Sequence, residues 1–242
     1  MRYLILFLLG IFIIETGQSQ IYEVGVFVGG SNFIGDVGAT NYISPNQTAF
    51  GAIFKWNRSP RHSLRASIIY SNIEGQDSKS DDPRRIERGY SFDNSLFEIS
   101  AGMEFTFLDF DLHDGVKKAT PYLYTGISMA NHDNYYFNTS GVYTSEDTTS
   151  WAYGIPMVLG IKSNVFENFV IGLEVGARYT FSDEIDGSVA DAPHHQQFNF
   201  GNTNSNDWYV FSGFTFTYTF CQSHLFLCLM SFLCNALVAS CM

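Results

Sequence analysis

The sequence predicts an all-β fold: an eight-stranded antiparallel up-and-down transmembrane β-barrel of the outer-membrane type, with long extracellular loops. Three observations predict it. Eight segments alternate in chemistry with period two, each near the roughly 9 to 11 residues that a tilted strand needs to cross hydrocarbon. The connections between them run long, short, long, intermediate, long, short, long, an asymmetry that an outer-membrane barrel keeps and a soluble meander has no reason to keep. Finally, one face of the strands is apolar and uncharged while the other carries the charge. A lipocalin-like soluble barrel would turn the apolar face inward and expose those charges, so the faces, the loops and an export signal together favour the membrane form.

The chain opens with an address rather than with fold. Arg2 is the positive start, Tyr3 to Ile14 is an apolar run, and Gly17-Gln18-Ser19 offers small residues for cleavage. Residues 1–19 are expected to be a signal peptide, 20–220 the barrel, and 221–242 an atypical tail.

Strand one, Tyr22 to Gly30, sets Tyr22, Val24, Val26 and Val28 against Glu23, Gly25, Phe27 and Gly29. Ser31 to Asn46 reads as a loop. Strand two, Thr48 to Trp56, and strand three, Ser63 to Ile73, flank the short turn Asn57 to His62. After the polar segment 74–94, strand four, Ser95 to Leu108, opposes Phe97, Ile99, Ala101, Met103, Phe105 and Phe107 to Glu98, Ser100, Gly102, Glu104 and Thr106. Strand five, Thr120 to Ala130, is ambiguous, because Tyr122 and Tyr124 compete with Leu123, Ile127 and Met129 for the outer face. Residues 131–150 read as a second long polar loop. Strand six, Trp151 to Ser163, contains Pro156, which must sit where no ladder bond is lost, as at a bulge. Strand seven, Phe169 to Phe181, and a long loop, 182–206, lead to the last strand, where Gly213, Thr215, Thr217 and Thr219 alternate with Phe214, Phe216, Tyr218 and Phe220. Tyr22, Trp56, Trp151, Tyr179, Phe181 and Trp208 fall at strand ends, as interfacial girdles do.

An eight-stranded barrel has an interior that side chains just fill. The inward faces carry four acids, Glu23, Glu98, Glu104 and Glu174, and four bases, Lys55, Arg65, Lys162 and Arg178. These predict a buried ion-pair network, a plug rather than a pore. The formal charge of −11 argues against a nucleic-acid partner, which needs a basic footprint; outer-membrane lipids are the expected surroundings. No G-x-S-x-G or H-E-x-x-H stretch appears, and no catalytic, cofactor or metal residue is assigned. His194, His195 and His132 read as solvated loop histidines. Asp183-Glu184-Ile185-Asp186 lacks the ligand ladder of a calcium loop and reads as solvated charge. The turn Asn57-Arg58-Ser59-Pro60-Arg61-His62 stands apart, being basic and on the periplasmic side of an acidic chain; it reads either as a solubilising, lipid-facing turn or, through Arg58, Arg61 and His62, as the candidate contact for a periplasmic partner.

The strings VGVFVGGSNFIGDVG (24–38), FKWNRSPRHS (54–63), RGYSF (88–92), SAGMEF (100–105), IPMVLGIK (155–162), GLEVGARYTFSDEIDGS (172–188) and NSNDWYVFSGFTFTYTF (204–220) together resemble the PorG family. These are outer-membrane barrels of the Bacteroidota associated with type IX secretion and, in gliding species, motility. The resemblance implies a non-enzymatic subunit that ties a periplasmic ring of PorK- and PorN-like proteins to the outer membrane, with no cofactor. The reading from a different class is a surface enzyme or ligand-binding barrel acting through its extracellular loops. Relatives finish soon after the last aromatic strand, whereas here CQSHLFLCLMSFLCNALVASCM (221–242) follows, with all four cysteines. It reads either as an apolar terminal helix or, preferably, as a frameshifted end.

Overall fold

The computed structural model describes residues 21–112, 116–166, 168–202 and 205–221, with only the backbone of Cys221. The expected signal peptide and, from 222 onward, the expected tail lie outside the described residues. Eight strands follow one another: β1 (Ile21–Ile34), β2 (Gln47–Asn57), β3 (His62–Gln76), β4 (Ser91–Thr106), β5 (Ala119–Phe137), β6 (Tyr143–Phe166), β7 (Phe169–Thr180) and β8 (Trp208–Cys221). Each pairs with the next, and β8 closes the ring on β1 from Ile21↔Cys221 to Ile34↔Trp208. Within the ring, closure gives each strand a partner on both sides, which is what hydrocarbon demands.

The two faces are opposite in kind. Ile127, Leu159, Phe50, Val28 and Phe214 each leave more than half of their surface uncovered on the outside. Lys55, Arg65, Lys162, Arg178, Glu98, Glu104 and Glu174 lie inside with 2% or less exposed. An apolar belt around a charged interior is stable only when the solvent outside is lipid. The chain is therefore an integral outer-membrane β-barrel. Aromatic clusters mark both ends of the belt: Tyr22 stacks with Phe54, Trp56 and Phe220 at one, and Tyr179 packs on Phe181 and Trp208 at the other. Turn 58–61 and the described residues between β4 and β5 lie at the periplasmic end, and connections 35–46, 77–90 and 138–142, with the described residues between β7 and β8, lie at the outer end.

Three details depart from the sequence reading. The expected loop 131–150 is mostly strand, because β5 and β6 run on together as a hairpin. β4 stops pairing with β5 at His132 and β7 stops pairing with β6 at Gly154. Polar residues on both faces hid that extension. In 77–90 a short helix, α1 (Pro83–Arg88), begins where the Asp82 carboxylate accepts from the Arg84 amide and ends at Gly89 in left-handed geometry, as helix caps do. Pro156 sits opposite Arg178 with no shift of register, so there is no bulge at that position. The ambiguity of β5 also resolves. Leu123 and Ile127 face lipid, whereas Tyr122 and Tyr124 are fully buried, because a phenol can find partners in a polar lumen and an alkyl chain cannot.

Candidate functional site: a charged lumen and its two ends

The periplasmic half of the lumen is built around Glu104 and Glu174. Glu104 receives Lys162 at 2.6 Å and Lys55 at 2.8 Å, one on each oxygen. Arg65 donates two parallel hydrogen bonds to Glu174, at 2.7 and 2.8 Å, and passes 3.8 Å from Glu104. The Tyr122 hydroxyl donates to Glu174 at 2.5 Å. Strand alternation aims all of these groups inward from six different strands, β2 to β7. Gly160 makes the room, since a Cβ there would stand 2.5 Å from the Tyr122 ring. Such a bidentate, hydrogen-bonded arrangement is what keeps charges tolerable away from water.

A second tier lies nearer the outside. Arg178 donates to Glu98 at 3.0 Å and to the Gly176 carbonyl at 2.7 Å, and its guanidinium lies 4.4 Å from the centre of the Phe211 ring. The Tyr209 hydroxyl donates to Glu98 at 2.7 Å. Glu23 behaves differently from the expectation that it joins the ion pairs. It accepts from Asn57 at 2.7 Å and from Thr217 at 2.6 Å, and no ion pair reaches it among the described residues. Lys55 lies opposite Glu23 in the register but turns to Glu104 instead.

Above this tier the lumen becomes apolar. Phe27, Phe33, Ile53, Ile69, Ile73, Phe92 and Leu96 are among the residues of one buried cluster that also takes in Ile185. Ile185 arrives from the 181–207 connection, which dips into the barrel mouth. Asp183-Glu184-Ile185-Asp186 is thus not the solvated run expected, for Ile185 and Asp186 are wholly buried. Asp186 accepts from the amides of Asp36, Val37 and Ser188 at 2.7, 3.1 and 2.9 Å. The Ile185 amide donates to Asp207 at 3.0 Å, and its carbonyl accepts from Tyr135 at 2.8 Å and Asn94 at 3.2 Å. Gly187, at φ 71°, turns the segment where a Cβ would collide with the Tyr135 ring.

This corner gathers Asp36, Asp183, Asp186 and Asp207 with no ion pair to any of them among the described residues. Burial first, then the charges of Asp186, Asp36 and Glu184, push Asp183 up to about 7. Burial raises Asp186 as well, and raises Asp207 strongly, with Asp186 and Asp183 adding to it.

Of the histidines expected in solvent, His194 is exposed, but His132 and His195 are not free. His132 is buried in β5, a consequence of the hairpin extension. His195 pairs with Glu146 at 2.7 Å and stacks on Tyr136 with ring centres 4.1 Å apart, fastening the 181–207 connection to the hairpin.

At the periplasmic end, turn 58–61 is tight: the amides of Arg58 and Ser59 both donate to the His62 carbonyl. Arg58 stacks over Trp56 at 5.1 Å, His62 packs on Phe105, and Arg61 pairs with Asp109 at 2.5 Å in the neighbouring turn. The Phe110 amide donates to Pro60 and the Thr106 amide to Arg61, joining the two turns. Phe110 is buried beneath Lys162, 4.9 Å from its ammonium to the ring centre, and so floors the lumen.

Sequence reasoning named the eight lumen charges but missed Tyr122, Tyr209, Asp186 and Asp207. The tyrosines were legible as polar tips at inward positions; the aspartates carried no local signal. Among the described residues no three His, Cys, Asp or Glu side chains come together to hold a metal ion.

The family described as a domain of unknown function, DUF6089, matches residues 2–229. No curated protein matches the chain. Among solved structures, the attachment invasion locus protein Ail of Yersinia pestis, in complex with the heparin analogue sucrose octasulfate, is 10% identical with a TM-score of 0.47, covering 84% of this chain and 100% of its own. Neisserial surface protein A is 12% identical with a TM-score of 0.44, covering 85% and 100%. The N-terminal β-barrel domain of Pseudomonas aeruginosa OprF is 14% identical with a TM-score of 0.43, again covering 85% and 100%.

Proposed function

We propose that this chain, which belongs to the DUF6089 family, is a non-enzymatic anchor that holds a periplasmic assembly at the outer membrane. The observation that carries the reading is the filled lumen. Paired charges occupy the barrel from Glu104 to Glu98, Phe110 closes it below and the Ile185 cluster closes it above. A barrel plugged in this way offers its partners two faces rather than a passage.

The periplasmic face favours a protein partner. Arg58 and Arg61 stand exposed on a turn that is fixed by backbone hydrogen bonds and braced by 107–112, so a docking partner would meet a surface with little left to order. The resemblance to the PorG family supplies the finer identity, a PorK- and PorN-like ring of type IX secretion.

The test is charge reversal at Arg58 and Arg61, with Asp109→Asn as the control that releases Arg61 without removing it. Ring co-purification and cargo secretion are expected to fall in the double reversal and to survive in the control. Unchanged co-purification in the double reversal would overturn the docking surface. Intact secretion after gene deletion, with a hydrolytic or lipid-modifying activity lost, would favour a surface enzyme.

A further inference from the structure

The 181–207 connection enters the mouth through a corner whose charges are all of one sign. Asp36 comes from the first connection, Asp183 and Asp186 from the last, and Asp207 from the residue before β8. Asp186 is satisfied by three amides, but both carboxylate oxygens of Asp183 and Oδ1 of Asp207 are buried without a hydrogen-bond partner. Asp207 is 0% exposed, and its Oδ1 points at the segment that carries Asp36, so close that a Cβ on Gly35 would lie 2.5 Å from it.

The other groups facing the corner do not neutralise it. Arg88 is taken up by Asp77, at 2.8 and 2.9 Å, and gives its remaining bond to the Asp36 carbonyl. Arg85 donates to the Gly38 carbonyl. Tyr135, from β5, spends its hydroxyl on Ile185, Asn94 from β4 is neutral, and Glu184 adds a further negative charge. A carboxylate with no base, and with either no donor, as in Asp183, or a single amide, as in Asp207, is more stable as the acid than as the anion when its oxygens are buried. A metal ion does not fit the arrangement, because no three candidate ligands converge among the described residues.

We propose that the segment 182–190 is a proton-held clasp: protons on Asp183 and Asp207 keep it seated in the barrel mouth, and their loss drives it out by repulsion within the aspartate corner. The direction follows from which state binds more protons. Folded Asp183 titrates at about 7 against an ordinary 3.8, so the seated state takes up protons across that window. Seating is complete below it and weakens as pH rises through it. The swinging piece is held at its far end by His195 and Glu146, so it loosens as a flap rather than as a free tail.

The test uses the full chain in lipid vesicles and hydrogen exchange of the segment 183–190 at pH 5.5, 7 and 8.5, each time against an Asp183→Asn/Asp207→Asn variant in the same buffer. Taking the ratio of the two cancels the intrinsic pH dependence of exchange. Exchange in the native chain relative to the variant is expected to rise by about tenfold to thirtyfold between pH 5.5 and 8.5, since one extra proton held by the seated state is worth about a factor of ten for each pH unit below about 7. A ratio that stays flat overturns the proposal. Protection restored at pH 8.5 by micromolar calcium alone, and lost with a chelator, would overturn it in favour of a metal. A single Asp183→Asn variant guards against misfolding, since that carboxylate has no hydrogen bond to lose. Its exchange should show less pH dependence than the native chain, and an undiminished dependence would count against the clasp.

Discussion

The two halves of the lumen handle buried carboxylates in opposite ways. In the periplasmic half, Glu104 and Glu174 share three bases at 2.6 to 2.8 Å, and each charge is the reason its neighbour is tolerated. In the extracellular mouth, four aspartates crowd beside an apolar cluster with no ion pair to any of them among the described residues. The same residue class is thus a strut in one region and a latent repulsion in the other. Removing a carboxylate should therefore have opposite signs in the two places.

The largest effect belongs to Glu104→Gln. It leaves Lys55 and Lys162 buried together with their shared anion gone, and unfolding from vesicles in urea should show a loss of about 3 to 5 kcal/mol. A neutral outcome would mean that water or lipid headgroups reach the lumen, and would break the comparison on its paired side. Tyr122→Phe tests the same half more gently. It removes one donor to an ionised Glu174, worth about 1.5 to 3 kcal/mol, without creating an unpaired charge. Smallest and of reversed sign is Asp183→Asn. Its stability relative to the native chain should be unchanged below pH 3.8 and should rise until about pH 7, reaching on the order of 1 kcal/mol once solvent screening of this partly exposed group is allowed for. A destabilising Asp183→Asn at pH 8 would show that the mouth, too, is a paired site.

The difference between the halves also explains what could be read from the chain alone. Inward charges such as Arg65 and Glu174 stand on strands whose period is two, so their face follows from counting along β3 and β7. Their partners could be foreseen as a set but not as pairs, since Arg65 meets Glu174 across 109 residues of sequence. Glu23 shows the limit: inward and opposite Lys55, it binds Asn57 and Thr217 and, among the described residues, no base. The mouth was illegible for a different reason. Asp186 and Ile185 lie in irregular backbone, where no period assigns a face, and their burial depends on a connection folding back into the barrel. The β5–β6 hairpin escaped notice because beyond the membrane nothing forces its faces apart in polarity.

The seam between β1 and β8 has a consequence for how the molecule comes into being. Ile21 pairs with Cys221 and Ile34 with Trp208, so the ring is closed by residues about as far apart in sequence as the described chain allows. Until Trp208–Cys221 has been made, β1 and β7 are both open edges, each a template for mispairing with another chain. An open edge cannot rest in hydrocarbon, and joining such distant segments carries the greatest loop-closure entropy in the molecule. Closure must accordingly be late: the first strand made has to be sheltered through the synthesis of all the others, until β8 is there to pair with it.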